Sequence, residues 1–335
     1  MVVQSHPELD NISLINTCKP TSFFNGVPVI DLSDPEAKTH LVKACEDLGF
    51  FKVINHGVSL HLMARLENEA IKFFNLPHSE KGKAGPPDPF GYGSKRIGPN
   101  GDVGWIEYIL LNSNRQLPSH KSLTIFNRNA DDFRSAVEEY VVVVKEMSCN
   151  VVEMMAQGLG IETKNVFSKL LRDEQSDSCF RINHYPPCPD ELKGLVNKNL
   201  MIGFGEHTDP QIISVLRSNN ISGLQISLRD GTWVSVPPDH TSFFINVGDA
   251  LQVMTNGRFK SVKHRVLAGT RESRVSMIYF GGPPLEERIA PLQSLLAQHE
   301  QSLYKDFTWR EYKNSAYKSK LADNRLRLFE KAGER

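Results

Sequence analysis

His207 and Asp209 lie two apart in the run GFGEHTDPQIISVL. In an extended strand, residues i and i+2 project from one face, whereas in a helix they diverge by about 200°. If this stretch is extended, one imidazole and one carboxylate converge on a point. His264, in SVKHRVL, offers a second imidazole from a later segment. Two histidine nitrogens and one carboxylate oxygen on one face of a metal leave the opposite positions open, the donor set of a non-haem Fe(II) facial triad. Arg274 and Ser276 repeat the spacing in SRVSMIYFG. A guanidinium forks onto a carboxylate through two parallel hydrogen bonds, and a hydroxyl beside it adds a third. That pair suits an acid co-substrate whose other end reaches the metal. A lone H-x-D is a weak signal, and a strand arginine is most often solvated. The order of all five residues in a strand-rich context carries the reading.

Those residues need strands to position them, and from Ser178 to Phe280 the chain supplies them. The pattern predicts strands over Cys179–Tyr185, Gly203–His207, Ile212–Arg217, Leu224–Leu228, Thr232–Val236, Phe243–Asn246, Ala250–Thr255, Ser261–Leu267 and Ser273–Phe280. Asp230-Gly231, Pro237-Pro238, Asn256-Gly257 and Gly269 punctuate them. Many short strands at this spacing indicate a jelly roll, here with an interior wide enough for a metal and a small acid. Upstream, helical periodicity marks Glu36–Leu48, Leu60–Leu76, Ala130–Leu159 and Asn165–Arg172, with strands at Val27–Leu32 and Phe50–Asn55. The β-branched run Val141–Val144 disfavours an isolated helix and is expected in the core. Downstream, Asp306–Ser319, with Thr308 as a possible cap, and Ala322–Lys331 read as helices. Residues 1–26 read as a loose arm, 27–175 as a mostly helical part, 178–282 as the jelly-roll core and 283–335 as C-terminal helices, all in one domain. The expected fold class is α+β: a double-stranded β-helix core flanked by N-terminal and C-terminal helices.

Between helices, residues 82–104 are rich in Gly and Pro and read as a long loop. It holds Phe90, Tyr92, Lys95, Arg96 and Ile97 and runs into Trp105 and Tyr108. Aromatic surface beside a cation is what an apolar ligand bearing one carboxylate requires, although a solvated surface loop is an equal reading of the same residues. The segment 82–108 is expected to cover the mouth of the barrel. His56 tempts as a ligand, but the five-residue set is complete without it.

The remaining composition excludes more than it assigns. Lys+Arg and Asp+Glu are equal at 39 each, so no net charge points to nucleic acid or an anionic membrane. No apolar run is long enough to span a bilayer, and the N-terminus lacks a signal-peptide layout. Five cysteines (18, 45, 149, 179, 188) without C-x-x-C pairing fit reduced thiols and a cytoplasmic location. The oligomeric state is not legible.

The pattern H-T-D, then His264, then R-V-S resembles the plant 2-oxoglutarate- and Fe(II)-dependent dioxygenases, as does Asn183-His184-Tyr185-Pro186-Pro187-Cys188-Pro189. The likeness runs from Val27 to about Phe329. It implies Fe(II) on His207, Asp209 and His264, with ascorbate as reductant. It implies 2-oxoglutarate held by Tyr185, Arg274 and Ser276, with Asn183 near the same pocket. The segments GPPDPFGYGSKRIGPNGDVGWIEYILL and DALQVMTNGRFKSVKHRVL are similar to the gibberellin 2-oxidases, in particular to the branch acting on nineteen-carbon substrates. Such substrates are rigid polycyclic acids. On that resemblance Arg96 or Lys313 is expected to take the substrate carboxylate, and Trp105, Tyr108 and Tyr312 its ring faces. Open beside this reading are a related hydroxylase acting on another gibberellin position, a flavonoid or an alkaloid; a zinc hydrolase; and a hormone-binding module.

Overall fold

The computed structural model describes residues 12–16, 23–98, 100–113, 131–188, 199–268, 272–298 and 300–331. The strands are β1 (Leu14–Asn16), β2 (Val29–Asp31), β3 (Phe50–Ile54), β4 (Gly91–Arg96), β5 (Val103–Asn112), β6 (Cys179–Tyr185), β7 (Asn199–His207), β8 (Ile213–Ser218), β9 (Leu224–Ser227), β10 (Trp233–Ser235), β11 (Phe243–Val247), β12 (His264–Ala268) and β13 (Arg274–Gly281). The helices are α1 (Ala37–Asp47), α2 (Leu60–Phe74), α3 (His78–Lys81), α4 (Asp131–Gly158), α5 (Ser168–Arg172), α6 (Asp249–Met254) and α7 (Trp309–Lys318). One large sheet runs β1-β7-β12-β9-β10 and a second β2-β3-β11-β8-β13-β6-β5-β4, and a separate two-stranded ladder pairs Arg288–Ile289 with Phe307–Thr308. Together the two large sheets form the expected jelly-roll core with helices on its flanks.

Two apolar layers hold the sandwich. Met201, Phe204, Leu216, Ile226, Phe244, Val266 and Ile278 form one cluster, which joins strands of both sheets. The other packs α1, α2 and α4 against the larger sheet, through residues such as Leu41, Leu66, Tyr140, Phe180 and Phe243. The Val141–Val144 run divides on this surface: Val141 and Val144 are buried, and Val142 is 43% exposed. Each buried valine contributes about 1.5–3 kcal/mol, enough to override a few tenths of helix propensity.

Four sequence expectations change. The stretch 250–255 is not a strand: Asp249–Met254 is helix α6, with Ala250, Leu251, Val253 and Met254 buried at helical spacing. A short apolar run does not distinguish strand from helix by period alone. The expected loop 82–104 contains β4, paired with β5 so that Gly91 faces Leu110 and Gly93 faces Tyr108. Its glycines serve packing rather than looseness, since a Cβ on Gly93 would lie 2.5 Å from the Tyr108 ring. The arm at 1–26 is not uniformly loose, because Leu14–Asn16 pairs antiparallel with Asn199–Met201; residues 1–11 and 17–22 lie outside the described set. The last helix reduces to one 3-10 turn, Arg325–Leu328. Gly269 and Pro189 also lie outside the described residues. Thr308 caps α7 through a capping box with Glu311.

Candidate active site

His207 ends β7 and His264 begins β12, and the antiparallel register sets them directly opposite each other. Cross-strand partners hold their Cβ atoms about 4.5–5.5 Å apart, so two residues far apart in sequence become neighbours. Their ring centroids are 4.2 Å apart. Asp209 follows two residues beyond the strand end, and its Oδ1 lies 3.6 Å from Nε2 of His207 and 3.6 Å from Nε2 of His264. The three donor atoms lie within 4.8 Å of one another.

Hydrogen bonds orient each donor. Nδ1 of His207 faces the Gly205 carbonyl at 2.8 Å, and Nδ1 of His264 faces the Val262 carbonyl at 3.2 Å. A carbonyl only accepts, so both Nδ1 atoms carry a proton and both Nε2 atoms turn toward Asp209. Asn246 Nδ2 donates to Asp209 Oδ2 at 2.9 Å, which leaves Oδ1 for the histidine side. Burial and the neighbouring His264 push the His207 imidazole well below its usual range, against the pull of Asp209. Burial works against the Asp209 charge, but His264, His207 and the Asn246 bond outweigh it and hold the carboxyl low. Metal binding requires a carboxylate and imidazoles that offer a lone pair, and it displaces any proton held there. Cis donors at about 2.1 Å from one ion are roughly 3 Å apart, so the 3.6 Å gaps fit an ion after a small closure.

Deeper in the barrel, β6 and β13 pair with Arg274 opposite Tyr185 and Ser276 opposite Asn183. All four are buried. The Arg274 guanidinium lies 5.3 Å from the Tyr185 ring centroid, and its Nε and Nη1 have no hydrogen-bond partner. Burial lowers the Arg274 pKa, opposed by Tyr185; burial raises that of Tyr185, opposed by Arg274. A buried cation with two unsatisfied donors is costly unless an anion completes it. This buried cation therefore suits an anionic group such as a carboxylate.

Above the His207, Asp209 and His264 cluster opens a cavity of about 210 Å³, lined by His207 and Asp209 at one side and by Phe90, Ile97, Leu110, Phe204, Phe280 and Leu321 elsewhere. The 82–108 segment therefore reaches the mouth as expected, through Phe90, Ile97, Gly98, Asn100 and Asp102. The substrate-side expectations fare unevenly. Lys313 lines the cavity but holds both oxygens of Asp177, at 2.8 and 2.7 Å. Arg96 is exposed on β4 and does not line the cavity. Trp105 and Tyr108 are 6% and 4% exposed and do not line it either. Trp105 donates to the Pro186 carbonyl, and the Tyr108 ring lies 3.8 Å beneath the Arg181 guanidinium. Tyr312 is fully buried and donates to Asp249. Trp105 and Tyr108 are thus engaged by neighbours within the wall, and Tyr312 is held from helix α7 against Asp249. His56 contacts the Thr241 carbonyl and the edge of Phe243, as a structural histidine does.

Sequence reading missed Arg181 and Arg325, which both line the cavity. Arg181 was within reach: on β6 it is two residues before Asn183 and four before Tyr185, on the same face. Its Nε donates to Asn183 Oδ1 at 2.7 Å, while its buried Nη2 has no partner. Arg325, from the 3-10 turn, carries no periodic signal; its Nη1 donates to the Thr208 carbonyl at 3.4 Å.

Residues 176–283 match the 2OG-Fe(II) oxygenase superfamily, and residues 27–129 match the family described as non-haem dioxygenase in morphine synthesis N-terminal. A gibberellin 2-beta-dioxygenase of Phaseolus coccineus is 66% identical over 99% of this chain and 99% of its own length. Gibberellin 2-beta-dioxygenase 2 of Arabidopsis thaliana is 64% identical over 99% of this chain and 97% of its own. Among solved structures, JOX2 in complex with 2OG, Fe and JA superposes with a TM-score of 0.80 at 29% identity, covering 94% of this chain and 92% of that one.

Proposed function

The chain belongs to the 2OG-Fe(II) oxygenase superfamily and, within it, to the gibberellin 2-beta-dioxygenases, and from that premise we propose that it hydroxylates carbon 2 of gibberellins and so inactivates the hormone. The reaction uses Fe(II), 2-oxoglutarate and dioxygen. The observation that carries this reading is the pairing of an inward-facing His207, Asp209 and His264 set with a buried Arg274 whose Nε and Nη1 await an anion. His207, Asp209 and His264 would hold the iron. When bound, the iron supplies the oxidising chemistry, drawing on dioxygen and on the decarboxylation of 2-oxoglutarate to succinate. Arg274 would fork onto the distal carboxylate of 2-oxoglutarate, with Ser276 and Tyr185 beside it. Asn183 holds Arg181 by its Nε.

For the substrate, Arg181 replaces Arg96 as the group that receives the acid end. Four strand residues at about 3.3 Å each set it roughly 13 Å from Tyr185 toward the mouth. The Tyr108 ring beneath it and the Asn183 bond fix the guanidinium plane, so its free Nη2 is pre-organised. Lys313 stands on the same wall with its charge answered by Asp177. The apolar lining suits the ring faces. Among the described residues no helix is long and apolar enough to cross a membrane. We place the protein in the cytosol, supported by free thiols at Cys45, Cys149 and Cys179.

Product analysis over a panel of gibberellins and a flavanone, with Fe(II) and 2-oxoglutarate, tests the proposal. Hydroxylation at carbon 2 of a nineteen-carbon gibberellin is expected. Preferred turnover of the flavanone, or attack at another gibberellin carbon, would overturn it.

A further inference from the structure

The turn bearing two of the three ligand-type side chains is gripped from behind. Thr208 lies between His207 and Asp209, and its hydroxyl donates to Asp249 Oδ2 at 3.0 Å. The same oxygen accepts from the Tyr312 hydroxyl at 2.5 Å. The Asp249 backbone N–H donates to the Asp209 carbonyl at 2.7 Å. Neither Asp249 nor Tyr312 lines the cavity, and they are 1% and 0% exposed.

A buried carboxylate is an expensive way to fasten two segments, since apolar packing serves stability as well or better. Its use here needs a reason beyond cohesion. The ligand geometry supplies one. Extended neighbours project to opposite sides, so when His207 and Asp209 face inward, Thr208 faces outward. A hydroxyl held there by its bond to the Asp249 carboxyl fixes the rotation of the whole turn. Tyr312 extends the grip to α7, the helix whose Lys313, Ala316 and Tyr317 form part of the cavity wall.

We propose that Asp249 and Tyr312 are positioning residues, which hold the His-Thr-Asp turn so that His207 and Asp209 present their donors to one ion with His264. The inference rests on the metal reading of that set. Outer groups that orient metal ligands typically cost 10–100-fold in metal affinity when removed. A group that merely packs would lower the stability of the metal-free and metal-bound chain alike.

The test is Co(II) binding by the full-length chain without dioxygen, by titration calorimetry, with thermal midpoints measured with and without the ion. Tyr312→Phe and Thr208→Val are each expected to bind Co(II) about tenfold more weakly. The midpoint rise produced by Co(II) should shrink in both. Thr208→Ser, which keeps the hydroxyl, should bind as the parent does. Should Tyr312→Phe fail to fold, the contrast between Thr208→Val and Thr208→Ser decides. Affinities within twofold of the parent in the folded variants overturn the proposal alone. A parent that takes up no Co(II) overturns the metal reading and this proposal with it.

Discussion

Replacing Arg274 with lysine probes the co-substrate pocket through a single group. Arg274 is 3% exposed and offers Nε and Nη1 without partners in the fold. Each can donate a hydrogen bond to an anion, in a direction fixed by the planar guanidinium. A lysine ammonium keeps the charge but forms at most one of those bonds in line. A hydrogen bond to a charged group is worth about 1.5–3 kcal/mol, which at 1.36 kcal/mol per decade is roughly a tenfold to 150-fold loss of 2-oxoglutarate affinity. The assay is anaerobic titration of 2-oxoglutarate into the Mn(II)-loaded chain. Thermal shifts give a second readout. At a concentration one hundred times the parent Kd, 2-oxoglutarate stabilises the parent by about 2.7 kcal/mol, and the variant by about 1.4 kcal/mol or less. Metal affinity should be unchanged, because Arg274 touches none of the three ligands. A variant that binds 2-oxoglutarate within threefold of the parent would refute the assignment of the fork.

Arg181→Met should raise KM for an acidic gibberellin about tenfold, by loss of one charge-assisted bond, with KM for 2-oxoglutarate unmoved. The parent's preference for the free acid over its methyl ester should vanish in the same variant, and a preserved preference would return the acid end to another cation. Lys81→Met leaves the Glu107 carboxylate buried without the ammonium that now lies 2.6 Å away, and should cost about 3–5 kcal/mol in urea unfolding. Burial raises the Glu107 pKa, but His184, Lys81 and Tyr92 outweigh it and hold the carboxyl below its usual range. Its contribution is therefore fully present above the unfolded value of about 4.3 and lost as pH falls through the folded value. Glu107→Gln should flatten that acid limb of the stability profile; an unchanged limb would assign it to other carboxylates.

The convergence of His207, Asp209 and His264 was legible because the rule behind it is local. His207 and Asp209 show their shared face through spacing alone, and the strand pattern around His264 leaves its register as the single unknown. The ladder supplies that register by setting His264 opposite His207. The same face rule, carried two residues back from Asn183, reaches Arg181. Arg325 was not legible, because a 3-10 turn near the C-terminus carries no hydrophobic period. Helix α6 was misread since so short an apolar run is compatible with either element in sequence, and its burial pattern in the fold decides. Trp105, Tyr108 and Tyr312 were placed in the cavity on their chemistry. Tyr108 supports Arg181, and Tyr312 supports Asp249. Residue type suggests what a side chain can touch; which way its strand or helix turns it settles the neighbour.

The most direct test of the central claim supplies a nineteen-carbon gibberellin with Fe(II), 2-oxoglutarate and ¹⁸O₂, and weighs both products by mass spectrometry. One labelled oxygen in a 2-hydroxygibberellin and one in succinate, formed in equal amounts and abolished by His264→Ala, is the expected result. A gibberellin product whose new oxygen comes from water, or turnover that survives without 2-oxoglutarate, would contradict it.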